Sequence, residues 1–258
     1  MQVAQLARRN MPVIAEHVDE RKRMNTLIAD PQPHPRARPF LSVLVISLGL
    51  LAFCILFFII DQAYFHFISS RFPNVGTSVW LATVWGIVSR APWILVIVII
   101  ALLRRRLLAL RIGEMRSRWR LVLSIIIANG VVVGAFLLLS GNSTPYSGNQ
   151  WLVTEIITVP LVEELFWRGF LFSLLFALLQ KSLSKSLSLT ITVWLSGIAF
   201  GLLHAANALA GVPIQFVAIQ VLNAVIWGVV YGYARAKTDS VFPSIFAHAA
   251  MNLVVVMF

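Results

Sequence analysis

The chain has 258 residues, of which 59% are apolar and 12% charged, with a formal net charge of +11 and a mean hydropathy of +0.85. A water-soluble domain is usually about one quarter charged, because its surface must be wetted, so this deficit predicts a lipid-facing exterior. Disordered chain, collagen-like fibre and a disulfide scaffold are excluded with it; the single cysteine, Cys54, lies in an apolar run and reads as a packed or lipid-facing residue.

Residues 1–39 form a basic, Pro-rich segment ending in PQPHPRARP. It lacks the pattern of a cleaved signal, because charged and Pro-rich sequence separates the basic residues from the first apolar run, so that run is expected to remain as an anchor. Crossing a hydrocarbon layer of ~30 Å takes roughly 20 helical residues. Seven stretches qualify: Phe40 to Ile60, Val79 to Leu103, Trp119 to Ser140, Trp151 to Leu179, Leu187 to Asn207, Pro213 to Ala234, and Val241 to Phe258. None shows strand alternation, and helices satisfy their own backbone groups in lipid, so the expected fold is an all-α, polytopic transmembrane bundle of about seven spans. Three parts are expected: the segment 1–39, three spans with a basic loop over 40–140, and a core over 141–258.

Orientation follows from the cations. Arg8, Arg9, Arg21, Lys22, Arg23, Arg36 and Arg38 precede the first span, and seven arginines lie in RRRLLALRIGEMRSRWR between spans two and three. Lys181 with Lys185, and Arg235 with Lys237, fall in connections on that same side, while Arg71 alone falls in the opposite loops. The amino terminus is therefore expected in the cytoplasm, in a multi-pass protein of a bacterial inner membrane. The positive charge then needs no nucleic acid: basic residues interleaved with Leu, Ile, Met and Trp suit anionic lipid headgroups.

Span four reads TEIITVPLVEELFWRGFLF. Charges inside a bilayer cost of order 2.5 to 3.5 kcal/mol each, so they need partners or a wet cavity. Glu164 and Arg168, four apart in acid-before-base order, are expected to pair. Glu163, turned about 100° away, is expected to point elsewhere and stay available for chemistry. Span five contributes His204 in FGLLHAAN, and span seven contributes His248 and Asn252, four apart and on one helix face, in IFAHAAMN. A free carboxylate, two imidazoles and a carboxamide on three helices are the groups of a water-activating hydrolytic centre. Taken singly, each also reads as a buried packing group. Asp61, His66 and Arg71 read as solvated groups beyond span one, and Arg90, just before Pro92, as lining a kink or pairing with a buried acid. Asn129, Gln215, Gln220 and Asn223 read as helix-to-helix bonding groups. Trp80, Trp93, Trp119 and Trp151 read as interfacial anchors; Glu155 reads first as a packing group, with lining an entry path as the second reading.

EELFWR, FGLLH and HAAMN resemble, in order, the E-E-x-x-x-R, F-x-x-x-H and H-x-x-x-N motifs of the CPBP intramembrane proteases, which include the CAAX prenyl-protein endopeptidases and bacteriocin-processing or self-immunity proteins. The resemblance covers roughly Trp151 to Phe258. It implies an intramembrane endopeptidase acting on a membrane-associated protein or peptide. By the resemblance, Glu163 activates the attacking water, His204 and His248 bind a metal or orient the nucleophile, Asn252 holds the oxyanion, and Glu164 and Arg168 stabilise the site. A Zn²⁺ held by Glu163, His204 and His248 with an open position for water is one form of such a centre. A metal-free centre with a glutamate base uses the same residues. The prenyl-protein endopeptidases carry eight spans against the seven counted here. Two other classes use the same residues differently: a non-catalytic immunity or scaffold protein of the same fold, and a proton-coupled transporter.

Overall fold

The computed structural model describes residues 39–72, 74–140, 148–209 and 212–257. The amino-terminal cations from Arg8 to Arg38, and the cytoplasmic placement read from them, lie outside the described residues. Everything described is helix or connection, with no strand among the described residues.

Helix α1 (Pro39–Ser69) is apolar around its whole circumference, the pattern of a helix with no watery side. It runs nine residues past the expected end at Ile60, so Asp61 and His66 lie on the helix rather than beyond it. Helix α2 (Val79–Val88) starts at an N-cap, where the Ser78 hydroxyl accepts from the amide of Leu81 at 3.2 Å. It stops at Ser89 and Arg90, and α3 (Ala91–Arg104) leaves at an angle of 59°, with Pro92 in its first turn, where a missing N–H costs nothing. The expected second span is thus two helices around a break. A short α4 (Gly113–Ser117) leads into α5 (Trp119–Ser140).

The expected fourth span is helical but not uniformly α. A π segment (Thr154–Thr158), helix α6 (Val159–Glu164), a second π segment (Leu165–Leu171) and helix α7 (Phe172–Leu179) follow one another. Such widened turns, with i→i+5 bonding, recur at functional sites. Helix α8 (Lys185–Leu203), N-capped by Ser184, tightens into a 3₁₀ turn (His204–Ala208). Helices α9 (Ile214–Thr238) and α10 (Phe242–Met257) complete the chain. Asp239 closes α9 in the left-handed region at φ 45°, and its carboxylate pairs with Arg235 at 2.8 Å and with Arg111.

By length and composition, α1, α5, α8 with its 3₁₀ turn, and α9 can each cross a membrane, and the bent pair α2–α3 makes a fifth candidate if it is one span. Helix α10 is apolar but shorter, and the stretch holding α6 carries four charged residues. Lipid-facing side chains such as Leu44, Leu102 and Leu139 are fully or half exposed, as expected where the surrounding medium is hydrocarbon. The protein is an integral membrane protein.

Two packing contacts position the site. Helices α8 and α9 each carry a G-x-x-x-G, Gly197 with Gly201 and Gly228 with Gly232, and cross so closely that a Cβ on Gly228 would sit 2.9 Å from the Gly197 carbonyl oxygen. An aromatic cluster joins α1, α3 and the second π segment: Phe57 stacks on Phe166 at 4.9 Å, and Trp93 lies 4.7 Å from Phe166. Trp93 is therefore a packing residue with its indole N–H bonded to Asp61 at 2.7 Å, and neither residue has the solvated or interfacial setting expected of it. Asn129 bridges α5 to α9 and α10 by donating to Tyr231 and, at 3.1 Å, to the Ala247 carbonyl, the helix-bonding role expected for it.

Candidate functional site

Glu164 and Arg168 form the floor. Both are fully buried, and Nη1 of Arg168 lies 3.1 Å from Oε1 of Glu164, as the four-residue spacing predicts. Arg168 also donates to the Gly228 carbonyl at 3.2 Å and lies over the Phe200 ring at 4.1 Å, so one guanidinium joins the motif helix to α8 and α9. Only glycine at 228 leaves room for this approach, since a Cβ there would meet Nη2 of Arg168 at 3.1 Å.

His248 reaches the same carboxylate oxygen from α10, with Nδ1 2.9 Å from Oε1 of Glu164. Its ring is stacked on Tyr231 at 5.9 Å and lies edge-on to Phe200 at 6.1 Å. His204 opens the 3₁₀ turn after α8, and its Nδ1 lies 3.0 Å from the Phe200 carbonyl, one helical turn back. A backbone carbonyl only accepts, and an ionised carboxylate only accepts. Both imidazoles therefore carry their proton on Nδ1, and in the neutral form each presents a bare Nε2 lone pair. Phe200, the aromatic residue of F-x-x-x-H, contacts both rings and the guanidinium.

Glu163 shares neither Arg168 nor His248 with its neighbour. Its side chain is 17% exposed, and its recorded ionic contact is to Arg90, at 3.9 Å. It lies within electrostatic reach of His204 and Glu155, and His204 is in turn within reach of His248 and Arg168. The sequence-predicted residues thus occupy one neighbourhood, with Glu163 held apart from the buried ion network as the wheel geometry requires.

Asn252 is the exception. Its Nδ2 donates to Glu155, at 2.9 Å to the carbonyl and 3.3 Å to the carboxylate, so its donor is directed at Glu155 and not at an open site. In this arrangement it ties α10 to the first π segment. Glu155 is correspondingly buried against Asn252 rather than lining an open path. Among the described residues, no three His, Cys, Asp or Glu side chains are gathered to hold a metal ion, so Glu163, His204 and His248 do not form a ligand set as they stand.

An apolar groove of about 490 Å³ runs between α1 and the end of α8, lined by Leu50, Cys54, Phe58, Leu195, Leu202 and Ala205. Sequence reasoning did not find this groove, nor Tyr231 as the stacking partner of His248. An aromatic residue within an apolar span leaves no mark until the partner helix is placed.

A family model described as type II CAAX prenyl endopeptidase, Rce1-like, matches residues 146–254, the stretch that holds all three motifs. The match agrees with the resemblance to the CPBP proteases, a protease family of the membrane. No curated protein and no solved structure matches the chain.

Proposed function

We propose, with the Rce1-like match over residues 146–254 as the premise, that the protein is an intramembrane endopeptidase hydrolysing a membrane-anchored protein of the CAAX type, with Glu163 as the base. The observation that carries this reading is the division of labour between adjacent glutamates. Glu164 is consumed by Arg168 and His248, whereas Glu163 is partly exposed and faces the neighbourhood of His204.

The chemistry follows from what these side chains can donate and accept. The Glu163 carboxylate takes a proton from water, and the resulting hydroxide attacks the scissile carbonyl carbon. The tetrahedral intermediate collapses as the C–N bond breaks, and the proton on Glu163 passes to the departing amine. One hydrogen of the attacking water goes to Glu163, and an Nε2 lone pair of His204 or His248 accepts a hydrogen bond from the other and aims the oxygen at the carbonyl, a task that needs a neutral ring in a fixed tautomer. Glu164 and Arg168 hold His248 in that orientation. The groove between α1 and α8 supplies an apolar bed for a prenyl chain.

The remaining topology belongs to the same proposal: seven crossings, with the core over 141–258, an amino terminus in the cytoplasm, and basic connections on the cytoplasmic side against anionic lipid. Contact between two of those connections supports this. The amide of Val241 donates to the Ala109 carbonyl at 3.1 Å, and Arg111 pairs with Asp239, so the loops before α5 and α10 meet on one side. The test is cleavage of a prenylated CAAX peptide by the protein in liposomes made up in heavy-oxygen water. One heavy oxygen in the new carboxylate of the product supports hydrolysis, and an intact peptide overturns the reading.

A further inference from the structure

Arg90 lies outside the matched residues 146–254, and no motif of the sequence includes it. It is the residue at which α2 breaks from α3. Its Nη1 turns back to the Gly86 carbonyl and the Ser89 hydroxyl, each at 3.4 Å, so the guanidinium caps the negative end of α2. Its Nη2 faces Glu163 Oε1 at 3.9 Å.

The placement is fixed from both sides. Upstream, Thr154 donates its hydroxyl to the Ala82 carbonyl at 2.7 Å, and a Cβ on Gly86 would meet Thr154 at 2.6 Å, so α2 is seated on the π segment that precedes Glu163. Downstream, Trp93 is wedged against Phe166, three residues after Glu163, and anchored to Asp61 of α1. The break in the bent pair therefore has little freedom to slide along the motif helix. Asp61 and Glu155 are within electrostatic reach of both Arg90 and Glu163, so one cation stands among three carboxylates. Without it, Glu163 would lose the cation it faces at the break and be free to swing.

We propose that Arg90 is a positioning residue for Glu163: it holds the carboxylate at the helix break, directed to the attacking water, and acts on the reaction through that carboxylate alone. The claim rests on the peptidase reading, with Glu163 as base. The fork geometry matters, because one arm grips the end of α2 while the other faces the glutamate, which a lysine ammonium reproduces only in charge.

The experiment combines two measurements on Arg90→Gln, Arg90→Lys, Glu163→Gln and the double variant Arg90→Gln with Glu163→Gln. The first is steady-state cleavage of a prenylated fluorogenic CAAX peptide in detergent micelles. Positioning lowers kcat of Arg90→Gln by roughly ten- to a hundredfold, leaves KM within about threefold, and gives Arg90→Lys an intermediate kcat. A kcat equal to wild type in Arg90→Gln overturns the proposal, as does a loss confined to KM. The second is thermal unfolding of the same four proteins, which needs no substrate. Arg90 and Glu163 acting as a pair make the double variant melt no lower than the worse single variant; strictly additive losses overturn the pairing. Wild-type protein that leaves the peptide intact defeats the peptidase reading instead, and the melting cycle then decides the Arg90 claim alone.

Discussion

Oε1 of Glu164 receives two partners at once, Nη1 of Arg168 at 3.1 Å and Nδ1 of His248 at 2.9 Å, from opposite ends of the matched region. This single buried oxygen joins the first motif to the third and fixes which nitrogen of His248 is free. The first glutamate of the pair is thereby released from structural duty, while the second is committed to it.

Glu164→Ala strands a fully buried guanidinium without its anionic partner, leaving it the Gly228 carbonyl and the Phe200 ring. Removing one partner of a buried pair costs about 3 to 5 kcal/mol. The expected result is a large fall in the unfolding midpoint of the purified protein, with loss of cleavage as a consequence. Glu163→Gln is expected to shift the midpoint far less, because its ionic contact is long and partly exposed. Similar midpoints for the two variants would remove the distinction between the glutamates.

Gly228→Ala places a methyl group 2.9 Å from the Gly197 carbonyl oxygen and 3.1 Å from Nη2 of Arg168. Overpacking of this kind costs about 1 to 3 kcal/mol, and here it also pushes Arg168 off the Gly228 carbonyl. Lower yield of folded protein and a reduced unfolding midpoint are expected. Gly49→Ala, with nothing within 4 Å of the added carbon, is the control and should behave as wild type.

Much of this was legible before any coordinates. Opposed burial of Glu163 and Glu164 follows from a helical wheel, and the pairing of Arg168 from spacing. Arg90 was readable as a kink residue or a partner of a buried acid; it stands at the helix break and faces Glu163, an acid that is partly exposed. The π segments were not legible, because an extra residue per turn has no signature in an apolar run. The engagement of Asn252 by Glu155 was hidden for a different reason: the two are 97 residues apart, and only the packing of α10 on the first π segment brings them together. The paired G-x-x-x-G patterns do stand in the sequence, where small residues four apart on successive spans mark a close helix crossing.

A chelator separates the two forms of hydrolytic centre. Because Glu163, His204 and His248 do not gather as ligands, cleavage is expected to survive prolonged dialysis against a strong chelator, and elemental analysis of active protein is expected to show less than one bound transition metal per chain. Activity that disappears with the chelator and returns with added Zn²⁺ would require the three side chains to close together around an ion.

Asn252→Ala probes the tie between α10 and the first π segment. Losing two hydrogen bonds and leaving Glu155 without that donor is expected to cost about 1 to 3 kcal/mol, seen in thermal unfolding, with cleavage by the folded fraction falling less than in His248→Ala. A larger kinetic loss in Asn252→Ala than in His248→Ala, at unchanged stability, would return the oxyanion role to the carboxamide.

The most direct measurement is the cleavage rate of a prenylated CAAX peptide by liposome-reconstituted Glu163→Gln against wild type, each shown to be folded by its unfolding midpoint. A base that takes the proton from water accounts for about 10² to 10⁴ in rate, so the glutamine variant should fall by at least that lower factor while still binding the peptide. Cleavage by folded Glu163→Gln at the wild-type rate would contradict the assignment of Glu163 as the base.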